Sequence, residues 1–211
     1  MIQLYSADGC PYAQRVRALL THLQVPFDLH EIDLKNKPKQ FLELSPTGRV
    51  PLLVDGDHKL YESFVLLQYV AEKSRFTQAF SSDVGLRARQ RLAMIQFDGV
   101  ISPAVMKALR EAKYEPTELV ERELDELEET VRRTGSGPSL LAFHLAPFWL
   151  RWGWVRPHIP LLASFDRRTD LKRWLDEAVA MAPVQKTQPD RAATVKLYLE
   201  RFGPQPAATA P

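Results

Sequence analysis

The 211-residue chain has a single cysteine, Cys10. One thiol excludes an internal disulfide and fits a reducing compartment. The five histidines are scattered with no HxxxH pair and no second cysteine beside them, so a metal site is not expected. Glycine is scarce, at 9 residues, and the run Gly135-Ser136-Gly137 is too short for a phosphate-binding loop. No uncharged run approaches the ~18–20 residues of a membrane span. The N-terminus lacks the basic start and long apolar stretch of a signal peptide. Charge of one sign is lacking too: 28 Lys and Arg against 26 Asp and Glu leave a net +2. The longest basic runs are pairs such as Arg132-Arg133 and Arg167-Arg168, so neither nucleic acid nor a membrane is an expected partner. These absences point to the cytoplasm. An apolar content of 45% suffices for one large domain or two small ones.

What is present divides into two halves. Met1 to Tyr5 reads as a strand, and Val16, Leu19, Leu20 and Leu23 fall on one face of a helix. Phe27 to Ile32 then alternates as a strand, which makes a βαβ unit with parallel strands. Pro38 opens a short helical piece. Pro51 to Val54 and His58 to Tyr61 flank Asp55-Gly56-Asp57, a strong hairpin signal. Glu62-Ser63 leads into a helix with Phe64, Leu67, Val70 and Ala71 on one face. The order βαβαββα predicts an α/β, thioredoxin-like layer.

Beyond a polar connector at 76–83 no strand pattern appears. One helical face carries Ala88, Leu92, Ile95 and Gly99, with Pro103 expected to kink or break that helix. Val120, Leu124, Leu127 and Val131 define another face. An apolar helix runs from about Ser139 to Val155, Leu171, Trp174, Leu175 and Ala178 form a further face, and a last helix spans about Asp190 to Arg201. The second half is therefore all-α. There are no internal repeats.

Cys10 stands at the first strand-to-helix turn, between Gly9 and Pro11. Proline suits a first helical position, because it has no N–H to waste and its φ is already helical. Backbone N–H groups and the helix dipole would then face the sulfur, with Arg15 and Arg17 nearby. Such surroundings lower a thiol pKa from about 8.5 to roughly 3.5–7.5. The competing reading is a small buried apolar residue.

Three stretches together resemble the cytosolic glutathione transferase superfamily, in its omega-like, cysteine-type class. They are Cys10-Pro11-Tyr12-Ala13-Gln14-Arg15, Leu34-Lys35-Asn36-Lys37-Pro38, and Pro46-Thr47-Gly48-Arg49-Val50-Pro51-Leu52-Leu53 followed by Glu62-Ser63. They span the N-terminal half in order; the C-terminal half matches by helix pattern. The resemblance implies a thioredoxin-like glutathione-binding domain at 1–75 and an all-helical domain at 84–202 carrying the electrophile pocket. The tail at 203–211 is Pro- and Ala-rich and reads as disordered.

It also implies roles. Cys10 would be catalytic. The Val50–Pro51 bond would be cis, with Val50 offering N–H and C=O to the cysteinyl part of glutathione. Glu62 would hold the γ-glutamyl ammonium, Ser63 the γ-glutamyl carboxylate, and Lys37 the glycyl carboxylate. Tyr12 either packs beside the thiol or touches the ligand. Glutathione is then the cosubstrate, no metal is needed, and the family pairs its subunits as homodimers.

The implied reaction is a monothiol one: deglutathionylation, or reduction of dehydroascorbate or glutathionyl adducts, through a mixed disulfide of Cys10 with glutathione. The partner would be a small electrophile or a mixed disulfide. Conjugation, or isomerisation of the maleylacetoacetate type, is the alternative on the same fold. A non-enzymatic binding protein, like bacterial regulators of similar fold that bind RNA polymerase, is the alternative of another class. One departure stands out. Where the family has a Ser/Thr-x-x-Asp capping box, this chain has Ser139-Leu140-Leu141-Ala142, which leaves the start of that helix in question. Trp149, Trp152 and Trp154 lie near the family's electrophile pocket and divide between core and pocket.

Overall fold

A computed structural model describes residues 1–111 and 114–203. Strands β1 (Ile2–Ser6), β2 (Phe27–Glu31), β3 (Leu52–Asp55) and β4 (His58–Tyr61) form one sheet in the order β2-β1-β3-β4. β1 and β2 are parallel, with Ile2 opposite Phe27. β3 runs antiparallel to β1, and Leu4 faces Leu53. The hairpin closes with Asp55 opposite His58, leaving Gly56-Asp57 as the loop. Gly56 takes φ 59°, a conformation that side chains with a Cβ adopt at a cost. Helices α1 (Pro11–His22), α2 (Lys39–Leu44) and α3 (Ser63–Lys73) complete the βαβαββα layer.

The all-helical half comprises α4 (Val84–Gln96), α5 (Ser102–Arg110), α6 (Glu118–Thr134), α7 (Leu140–Trp154), α8 (Leu162–Asp166), α9 (Thr169–Ala180), α10 (Ala182–Lys186) and α11 (Arg191–Phe202). α7 is its axis. Every residue from Leu140 to Trp152 is buried, so this helix is apolar all round and needs partners on every side. It packs on α1, α4 and α9, and one continuous core joins Leu19 of α1 and Leu67 of α3 to Phe143 of α7. Burying side chains of this size contributes roughly 1.5–3 kcal/mol each. Trp149 and Trp152 belong to that core: Trp152 stacks on Phe97, and Trp149 donates to Asp176 at 2.7 Å.

Four features differ from expectation. Pro103 does not break its helix. A π-helical turn, Phe97–Ile101, joins α4 to α5, and the chain stays helical from Val84 to Arg110. The wider turn accommodates the hydrogen bond that proline cannot donate. That continuous helix is long and apolar enough to cross a membrane by length and composition, but half of its apolar window lies inside the fold. Second, α7 starts cleanly without the acidic box residue, because Ser139 Oγ accepts from the Ala142 N–H at 3.2 Å. Third, Leu92 and Ile95, read as one face with Ala88 and Gly99, point outward and are 54% and 55% exposed. The face of α4 turned to the core is Leu86, Gln90, Ala93 and Met94. Fourth, the short helices α8 and α10 are additional to the expected set. Of the tail, only Gly203 falls within the described residues.

Candidate active site

β1 delivers the chain to a turn at residues 7–10, and Cys10 is the N-cap of α1 with Pro11 as its first residue. The Cys10 N–H donates to Ala7 O at 2.9 Å, and Cys10 O accepts from Gln14 N–H at 3.1 Å. Cys10 is half-buried. α11 closes over the turn: a Cβ on Gly9 would sit 3.4 Å from Leu197 Cδ2. Burial consequently pushes the Cys10 thiol up, not down. The N–H groups of Ala13 and Tyr12 and the charges of Arg151 and Arg15 pull the other way without prevailing. The expected thiolate at neutral pH is therefore corrected for the free protein. The helix start is local and legible, whereas desolvation comes from segments more than a hundred residues away.

A cleft of about 300 Å³ opens beside this turn. Tyr12, Val50, Pro51, Glu62 and Ser63 line it together with Asp98. The Val50–Pro51 bond is cis. Val50 lies just ahead of β3, outside its ladder. Glu62 sits at φ 67°, a left-handed conformation that costs a non-glycine residue of order 1 kcal/mol or more and collects at functional sites. It caps α3, whose first residue is Ser63. Ser63 thus combines a hydroxyl with the free N–H groups of a helix start, an anion-binding arrangement. Lys37 is half-buried in the loop after β2, and neither it nor Cys10 is among the residues lining this cleft.

The floor of the cleft was not legible. Arg15 is fully buried. Its fork grips Asp98, Nη2 to Oδ1 at 2.6 Å and Nη1 to Oδ2 at 3.0 Å. Nη1 also donates to Ser63 Oγ at 3.0 Å, and Nε donates to His144 O at 2.7 Å. The guanidinium packs against both the Tyr12 and Phe148 rings, 4.8 and 4.6 Å from their centroids, and the two rings themselves meet edge to face at 5.0 Å. Because Ser63 Oγ accepts from Arg15, its own O–H remains to donate into the cleft. Burial raises the Asp98 carboxyl, but His144 and Arg15 outweigh it and hold the pKa well below the carboxylate range. Asp98 therefore presents a negative charge at the cleft edge.

His144 Nε2 stands 3.2 Å from Asp98 Oδ2. Burial, then the Arg15 charge, lower its pKa to about 4 against the pull of Asp98, so it is neutral at pH 7. A faint sequence signal existed for these groups. Arg15 precedes the run Val16 to Leu20, and Asp98 and His144 are isolated polar residues in apolar stretches of helix.

Comparison with known proteins bears on the family and the fold. The family described as "Glutathione S-transferase, N-terminal domain" matches residues 4–77. A probable glutathione transferase of Aplysia californica is 34% identical over 83 residues, covering 39% of this chain and 90% of that protein. The chain belongs to the glutathione transferases. Within them it is similar to the omega class: glutathione S-transferase omega-1 of Mus musculus is 28% identical over 213 residues, covering 95% of this chain and 85% of the mouse protein. The fold matches the crystal structure of glutathione transferase Omega 1C from Trametes versicolor, with a TM-score of 0.79 at 23% identity over 95% of this chain and 96% of that one.

The buried histidine makes stability depend on pH. An unfolded histidine takes up its proton near pH ~6.5, whereas His144 resists until about 4. Between those values the unfolded chain binds more protons, so stability falls as pH drops through this window. The gap corresponds to roughly 3 kcal/mol. Denaturant titrations should record that loss in the parent and a much smaller one in His144→Gln. Equal losses in both would contradict the assignment.

Proposed function

We propose that this protein is a glutathione-dependent thiol transferase or reductase working through a mixed disulfide of Cys10. The observation that carries the reading is the cleft in which Val50, Glu62, Ser63 and Asp98 converge beside the Cys10 turn. Ser63 and the α3 N-terminus suit the γ-glutamyl carboxylate, while Glu62 and Asp98 suit its ammonium. The Val50 backbone suits the cysteinyl amide, and Lys37, though outside the cleft lining, has the charge to pair with the glycyl carboxylate. In this reading residues 1–75 bind glutathione and residues 84–202 carry the electrophile pocket. The single cysteine is in keeping with a cytoplasmic setting.

The chemistry is two exchanges. The Cys10 thiolate attacks the glutathionyl sulfur of a mixed disulfide R–S–SG. The S–S bond breaks, and R–S⁻ leaves and takes a proton. The thiolate of a second glutathione then attacks the glutathionyl sulfur held on Cys10, releasing oxidised glutathione and restoring the Cys10 thiolate. The net reaction converts R–S–SG and one glutathione into R–SH and oxidised glutathione. No resolving cysteine exists in the chain, so the second glutathione is required. Dehydroascorbate and glutathionyl adducts are further candidate substrates.

Cys10→Ser replaces the thiol with a hydroxyl that does not ionise near neutral pH. Mixed-disulfide reduction should fall to background while retention on glutathione resin survives. A serine variant that reduces mixed disulfides as fast as the parent would return the protein to the binding or conjugating classes.

We also infer a homodimer. Leu92 and Ile95 are exposed on α4 beside a groove of about 330 Å³ between α4 and α6, lined in part by Leu92, Leu127, Arg89 and Glu126. A second copy covering this helix would remove both apolar side chains from water. Sedimentation at micromolar concentration should give a dimer for the parent and a monomer for Leu92→Glu/Ile95→Glu. A monomeric parent would remove the claim.

A further inference from the structure

Four arginines are buried among the described residues: Arg15, Arg17, Arg151 and Arg168. Three have carboxylate partners. Arg15 holds Asp98 at 2.6 Å, Arg17 meets Asp8 at 3.4 Å, and Arg168 holds Glu121 and Asp125 at 2.8 and 2.6 Å. Arg151 of α7 is fully buried and has none among the described residues. Its hydrogen bonds all go to neutral oxygens. Nε donates to Gly9 O at 3.3 Å, Nη2 to Asp8 O at 3.4 Å, and Nη1 to Pro147 O at 2.8 Å and to Gln14 Oε1. Four of its five N–H donors are thereby committed, and two of them grip the backbone immediately before Cys10.

A buried cation without an anion is costly, and such charges are normally paired. Among the described residues, the acidic groups that favour the Arg151 charge are Tyr198, Cys10 and Asp8. Asp8 spends its half-exposed carboxylate on Arg17. Burial pushes the Tyr198 phenol of α11 up to about 12, so it stays neutral. Arg15, the other cation near the thiol, is already neutralised by Asp98. Cys10 is what remains.

We propose that Arg151 is the positioning residue for Cys10: it fixes the Asp8–Gly9 carbonyls that aim the sulfur and is the standing counter-charge of the thiolate. On forming the thiolate, the proton leaves to solvent and the unpaired guanidinium becomes half of a neutral pair. Burial opposes ionisation at Cys10, and Arg151 offsets part of that penalty. The inference deepens the reading of Cys10 as nucleophile, and it is testable without turnover.

Because Cys10 is the sole cysteine, alkylation by iodoacetamide reports on it alone. The pH profile of that rate should move upward by at least one unit in Arg151→Met, a tenfold slower reaction below the midpoint. Arg151→Lys, which keeps the charge, should stay close to the parent. A folded Arg151→Met with the parent's profile overturns the proposal. Should the methionine variant fail to fold, the parent chain still provides a test through Cys10→Asp and Cys10→Asn. The fixed carboxylate should melt at or above the isosteric amide at pH 7, and a markedly lower melting temperature for Cys10→Asp overturns the pairing. If the alkylation profile shifts while mixed-disulfide reduction does not follow it, the pairing stands and the nucleophile assignment fails.

Discussion

The grip of Arg15 on Asp98 is the contact on which the rest of this structure depends. One guanidinium leaves α1 of the thioredoxin-like half and binds the π-helical turn, the first residue of α3 and a carbonyl of α7. It is fully buried, so removing either partner would strand a charge, at a cost of roughly 3–5 kcal/mol. The same contact orients the Ser63 hydroxyl and keeps Asp98 ionised at the cleft edge. Stability and site geometry are thus two consequences of a single ion pair. The π-helical turn has its reason here too: it lets one helix run on past Pro103 while turning Asp98 toward Arg15.

A second buried guanidinium, Arg151 of α7, bonds the turn that carries Cys10. The two arginines divide the work. Arg15 is neutralised in place and holds Asp98 and Ser63 at the cleft, whereas Arg151 has no carboxylate partner among the described residues and holds the carbonyls just before Cys10. Burial raises the Cys10 thiol, and the charge of Arg151 opposes that rise without overcoming it. The helix start alone does not settle the charge state of Cys10; desolvation by α7 and α11 competes with it.

Most of the fold was legible because its signals are local. The Gly56 hairpin, the helix faces of α1, α3, α6 and α9, and the strand-to-helix turn at Cys10 each depend on residues within a few positions of one another. So do the neighbours Val50, Pro51, Glu62 and Ser63, which the fold brings into one cleft. What was hidden is long-range. Arg15 meets Asp98 across 83 positions, and Arg151 reaches Gly9 across 142. Periodicity likewise identified an apolar face on α4 but could not tell that Leu92 and Ile95 turn outward, because a stripe of that kind does not say what covers it. The missing acid at Ala142 left no mark on the start of α7, since the Ser139 hydroxyl caps it unaided.

The claim that one guanidinium makes Ser63 and Asp98 a single site has a direct test in a double-mutant cycle on glutathione affinity. Calorimetric titration of the parent, Ser63→Ala, Asp98→Asn and the double variant yields the coupling energy between the two positions. Linkage through Arg15 predicts a coupling of about 0.5–3 kcal/mol. Effects that add to within about 0.3 kcal/mol would mean that the two residues act independently, and the account built on Arg15 would be contradicted.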